Sequence, residues 1–107
     1  MYEFSNYKTV QIPIGGRVYT LYVADDREKR QKGLAGVPYI PTNEGMLFKH
    51  KTSVRNPYTM QDMKVPLRVI FLDEEFQVVG EFDTKPGQKE EVCPEVDFMY
   101  VIEILKQ

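Results

Sequence analysis

Cysteine occurs once in this 107-residue chain and tryptophan not at all. A lone Cys93 cannot close an intrachain disulfide, which removes the main reason to expect a secreted fold held by such bonds. No apolar run approaches the roughly 20 residues that a membrane-spanning helix needs. Met1 to Tyr7 has neither the basic start nor the apolar stretch of a secretory signal. A soluble cytoplasmic protein, with no membrane partner, is the expectation. Charge of one sign is also lacking: the formal net charge is -2, and acids interleave with the densest bases, Arg27, Lys29, Arg30 and Lys32. That pattern disfavours duplex nucleic acid as a partner. Histidine is nearly absent too. His50 and Cys93 together are too few for a closed zinc site, and no acidic segment has EF-hand spacing. Gly15-Gly16 has neither the spacing nor the Gly-Lys of a phosphate loop. No metal or cofactor is implied.

What is present suits one ordered domain over residues 1–107. Seven Tyr and six Phe provide core material, and a domain of this length buries roughly 60–70% of the surface its unfolded chain exposes. Val10 to Ile14 and Val18 to Val23 are β-type runs separated by two glycines, a hairpin signal. Pro13 lacks an N–H, so its strand belongs at an edge. Asp25 to Lys32 reads as a short helix, capped by Asp25 or Asp26, followed by Gly33, and without an apolar stripe. Met46 to Phe48 reads as a short buried strand, His50 to Asn56 as a polar loop, and Pro57 to Met60 as the start of another strand. Val65 to Leu72 is apolar on both faces at its end, as a central strand is. Phe76 to Phe82 pairs back on it. Asp83 to Asp97 is a long Pro- and charge-rich excursion. Phe98 to Leu105 is the last strand, with Phe98, Tyr100, Ile102 and Ile104 on one face and Glu103 interrupting the other. The expected class is α+β: mostly antiparallel, six or seven short strands in a curled, partly closed barrel-like sheet, with one short helix at about 25–33.

Arg30-Gln31-Lys32-Gly33-Leu34, Glu44-Gly45-Met46-Leu47-Phe48, Met60, Pro66-Leu67 and Ile70-Phe71-Leu72-Asp73 occur in this order, followed by Val78-Val79 and Tyr100-Val101-Ile102-Glu103. The combination resembles the family known as domain of unknown function 192, over roughly residues 18 to 105. The resemblance implies a small, mostly β domain with no established activity, in a family where many members carry an export signal. This chain departs from the pattern where Thr59-Met60-Gln61-Asp62-Met63 replaces a Trp-Met-Lys-Asn-Thr-like run, at Arg68 where an Asp is usual, and at Ala35-Gly36-Val37. It also lacks the usual C-terminal helical extension. Such trimming suits a viral or mobile-element copy acting in a host cytoplasm.

No nucleophile–base pair is visible, since Cys93 and His50 each stand alone. His50 reads as a surface-loop residue and Met46, Met60 and Met63 as packing. The polar residues around Pro66 are the candidates. Arg68, on a covered strand, would need a partner among Asp62, Glu81 and Glu103. The primary expectation is a non-catalytic accessory module with no catalytic residues. It would present a groove of Tyr58, Met60, Asp62, Pro66 and Arg68 to a protein or small ligand. The alternatives are a small hydrolase or isomerase using Asp62 and Arg68, or a sugar or single-strand nucleic-acid binder. The last would need several of Tyr2, Tyr7, Tyr19, Tyr22, Tyr39 and Tyr58 exposed on one face.

Overall fold

Gly15 and Gly16, at φ 57° and 81°, turn the chain between β1 (Thr9–Ile14) and β2 (Arg17–Ala24) in the computed structural model, which describes residues 1–107. Positive φ at both turn positions matches the twist of a two-residue hairpin. The Asp26 side chain then accepts the Lys29 backbone N–H at 2.8 Å and starts α1 (Arg27–Lys32). No residue of α1 is buried, as its lack of an apolar stripe implies. The excursion through α1 carries the chain to β3 (Glu44–Val54), which runs parallel to β2. A parallel neighbour requires such a crossover. The remaining ladders are antiparallel and join β4 (Leu67–Leu72), β5 (Val78–Asp83) and β6 (Phe98–Leu105).

The strand order is β1-β2-β3-β6-β4-β5. β1 is an edge, as Pro13 requires, and β4 is interior. Six strands match the expected range, but two features of the expected architecture are corrected. The fold is β-rich rather than α+β, because a six-residue helix that buries nothing builds no layer of its own. The sheet is also not closed, since no ladder joins β5 to β1. Two smaller expectations change as well. The polar stretch from His50 continues β3 as far as Val54, and Pro57 to Met60 makes only an isolated bridge, Tyr58 to Val92.

Each face of the sheet carries an apolar cluster. The larger contains Met46, Phe48, Val69, Phe71 and Val101, covered by Phe4, Leu34, Val37, Ile40, Met60 and Met63 from the connecting segments. The smaller draws only on strands, with Leu21, Leu47, Ile70, Leu72, Ile102 and Ile104. A central strand buried on both faces explains why β4 is apolar from Val69 to Leu72.

Gly45 marks the tightest contact between central strands. A Cβ there would clash with the Glu103 backbone carbonyl and lie 2.8 Å from the Ile104 side chain. Gly45→Ala therefore forces β3 away from β6 and is expected to cost at least about 1–3 kcal/mol, the usual range for overpacking. Urea unfolding measures it, and an unchanged midpoint would refute this packing.

Candidate functional site

The face of β6 that meets the larger cluster holds Val101, Glu103 and Leu105. Glu103 is thereby set directly between Met46 of β3 and Val69 of β4, both fully buried. It is itself only 1% exposed, and neither carboxyl oxygen has a hydrogen-bond partner within the protein. An uncompensated polar group in such a place costs roughly 1–3 kcal/mol on the scale of protein substitutions. Burial pushes its pKa up to about 8, so the carboxyl stays largely protonated at neutral pH.

A cavity of about 440 Å³ has Glu103 in its lining, although the carboxyl oxygens themselves are closed off from solvent, and its volume is within the roughly 300–1,000 Å³ typical of small-molecule sites. Its floor is Phe48 and His50 of β3 with Glu103 of β6. One wall is α1 with Arg27, Arg30 and Lys32, and the other is the segment from Asn56 to Met63. Two backbone ties hold that second wall. Tyr58 and Val92 exchange N–H···O bonds of 2.9 and 3.0 Å, and the Gly36 N–H donates to the Asp62 carbonyl at 2.8 Å. The Tyr58 ring packs edge-on against Phe48, Phe71 and Phe98, and its hydroxyl lies 2.8 Å from His50 Nε2. Burial, and then the nearby Glu103 charge, raise the Tyr58 pKa. Burial, and then the Arg30 cation, lower that of His50. The floor of the cavity is therefore uncharged at neutral pH, with donors and acceptors in place, while the mouth on α1 is cationic. The Arg30 guanidinium is fixed there, because its Nη1 donates to the Lys49 carbonyl at 2.9 Å.

The five residues expected to form a groove are divided. Tyr58 and Asp62 line this cavity, and Met60 is fully buried in the core beside it. Pro66 is half-buried and lines neither cavity. Arg68 lines a second cavity of about 260 Å³ with Arg17, Tyr19 and Lys106. Its side chain is 45% exposed and bonds Asp83 across the β4–β5 ladder, with Nε 3.0 Å from Oδ1. The expected buried Arg68 paired with Asp62, Glu81 or Glu103 is thus corrected. β4 is central, but Arg68 lies near its start, where the cross-strand neighbour Asp83 supplies a solvated partner. Asp62 and Arg68 share no cavity. Of the tyrosines, Tyr2 and Tyr39 are largely exposed, Tyr19 is buried, and Tyr7, Tyr22 and Tyr58 pack against the core. Cys93 is half-buried and lies outside both cavities. No three His, Cys, Asp or Glu side chains gather in a metal-ligating group.

Glu103, His50 and Arg30 are the site residues that motif reasoning passed over. Period-two alternation carried the signal for the two on strands. His50 follows Met46 and Phe48 on one face of β3, and Glu103 falls between Val101 and Leu105.

A family model for domain of unknown function 192, described as an uncharacterized ACR, matches residues 10–107. No protein with a curated description matches the chain. Two crystal structures share the fold. One is a protein from Sinorhizobium meliloti 1021 described as a candidate transcription regulator, with TM-score 0.80 and 21% identity over 92% of this chain and 81% of that one. The other is a protein of unknown function from Novosphingobium aromaticivorans DSM 12444, with TM-score 0.76 and 17% identity over 95% and 84% of the two chains.

Two predictions concern Glu103. Glu103→Met keeps the length of the side chain and removes the orphaned oxygens, so it is expected to stabilise the domain by about 1–3 kcal/mol in urea unfolding. Destabilisation would mean that the carboxyl supports the fold. The second is pH dependence. Between the ordinary carboxyl value of 4.5 and about 8, the folded state holds a proton that the unfolded state has released. Stability therefore falls as pH rises through that window, by up to about 1.4 kcal/mol per unit, and levels off above it. His50 acts oppositely: its lowered pKa means stability is lost as pH falls below its ordinary 6.5. Tyr58, its pKa raised by burial, stays neutral throughout. The difference between wild type and Glu103→Gln isolates the Glu103 contribution, and parallel pH curves for the two proteins would show that the carboxyl is not held neutral.

Proposed function

Because the chain belongs to the domain of unknown function 192 family, where family membership supplies no activity, we propose from its own geometry that it is a non-catalytic binding module for a small ligand held in the Glu103 cavity. The observation that carries this reading is the Glu103 carboxyl, buried and unpaired on the cavity floor. Buried polar atoms in folded proteins are nearly all satisfied, and one that is not calls for an explanation, which a ligand in the cavity supplies. A site that lowers stability to keep such a group is the usual signature of function. Catalysis has less support. The His50–Tyr58 pair has no nucleophile beside it, Cys93 is elsewhere, and Asp62 and Arg68 line separate cavities.

The scaffold belongs to the same reading. The second cluster, built from strands alone, backs the open sheet on the face opposite the cavity. A single unpaired cysteine suits a reducing cytoplasmic setting.

Amide chemical shifts test the proposal. The labelled protein is titrated with a fragment panel of small carboxylic acids, amines, amides and sugars. At least one fragment is expected to shift Arg30, Gly33, His50, Tyr58 and Glu103 together and saturably. Shifts confined to the Arg68 cavity, or none from any fragment, would overturn the reading.

A further inference from the structure

We infer that the ligand of this cavity is a small organic acid carrying a hydroxyl or carbonyl in addition to its carboxylate, a hydroxy or keto acid. The inference rests on the binding-module reading and goes beyond it by assigning the ligand's two functional groups to two ends of the site.

The mouth selects the charge. Arg27, Arg30 and Lys32 reach it from α1, and none of the three is in an ion pair, although the Lys32 ammonium lies over the Phe4 ring at 5.7 Å from its centroid. Of the acids beside these cations, Asp26 at the N-cap holds Lys29 at 2.8 Å, and Glu28, the one acid within α1, does not line the cavity. Asp62 is the one carboxylate on the rim. With Glu103 and His50 neutral, the entrance has an excess of two positive charges, and a cleft of one sign concentrates ligands of the other. Arg30 anchors with a single Nη1 contact, to Lys49. Its remaining N–H donors form a fork pre-set for a carboxylate, which lowers the ordering cost of binding.

The floor selects the second group. A protonated Glu103 offers one O–H donor and one carbonyl acceptor. A hydroxyl can meet both, and a ketone can accept the donor. A second ionised group placed there would have to be stripped of water in an apolar surround, which is costly. An amine suited to Glu103 would first meet the cationic mouth. The polarity therefore runs one way, with the anion at the mouth and the neutral oxygen at the floor.

Lactate, pyruvate, propionate, lactamide and 1-amino-2-propanol form a probe set of nearly constant size. Binding is read by calorimetry and by amide shifts at Arg30 and Glu103. Lactate and pyruvate are expected to bind, more weakly as salt rises, and to exceed lactamide and the amine by about tenfold or more, the scale of a charge-assisted hydrogen bond. Arg30→Gln should weaken lactate about tenfold and leave lactamide unchanged. Wild type should prefer lactate to propionate, and Glu103→Met should abolish that preference. Arg27→Gln, at an exposed position without an ion pair, repeats the charge test if Arg30→Gln does not fold. Equal binding of lactamide or the amine, or an unchanged lactate-to-propionate ratio in Glu103→Met, overturns this inference while binding in the cavity still stands. If no probe of any charge shifts the cavity residues, both readings fall.

Discussion

β6 runs between β3 and β4, so each of its side chains is committed to one of two buried faces. Period-two geometry leaves no third direction, and a slip of one residue would exchange the whole set. On β6 this places Val101 and Leu105 in the larger core and obliges Glu103 to join them. The close approach at Gly45 holds that register, because no side chain fits between β3 and the Glu103 backbone. The acid is thus fixed by the same ladders that fold the domain. It cannot swing to solvent without breaking strand pairs on both sides. Everything distinctive about the site follows from that constraint: the neutral carboxyl, the neutral histidine and tyrosine beside it, and the cavity above them.

The two cavities show how similar residues acquire different significance. Arg68, Arg17 and Lys106 surround the smaller one, but Arg68 is bound to Asp83, Lys106 reaches the same carboxylate at 4.0 Å, and Arg17 donates to Gln107 at 2.9 Å. These are solvated surface interactions worth little individually. In the larger cavity the cations of α1 face a floor with no ionised partner. The smaller cavity has largely balanced its charges internally, and the larger has not. That asymmetry, rather than the number of charges, is what favours the larger cavity as the proposed binding site.

Much of the fold was legible in the residues. The glycine pair announced the hairpin, Pro13 put β1 at an edge, and the capped but unstriped α1 lies on the surface as its composition demands. The family was legible because the densest parts of its motif, Gly45 to Phe48 and Ile70 to Leu72, are buried strand residues whose spacing the fold dictates. The site was harder to read. His50 sits in a Lys-His-Lys run that looks like a loop, although counting by two from Met46 and Phe48 places it on the core face. Glu103 seemed to mark the poorer face of β6 because Phe98 was grouped with Tyr100, Ile102 and Ile104. Phe98 instead joins the larger cluster, beyond the register shift between Lys49 and Val54. Such irregularities leave no signature in a binary pattern. The choice of Asp83 by Arg68 was likewise a matter of cross-strand register, which no single strand reveals.

The central claim is that a carboxylic acid is kept protonated on the floor of an open cavity. Carbon-detected NMR of the Glu side-chain carboxyls, followed across pH, measures this directly. The account predicts that one glutamate, assigned to Glu103 by its loss in Glu103→Gln, titrates near 8, well above the ordinary carboxyl range. A Glu103 resonance that titrates with the surface glutamates near the ordinary 4.5 would contradict it.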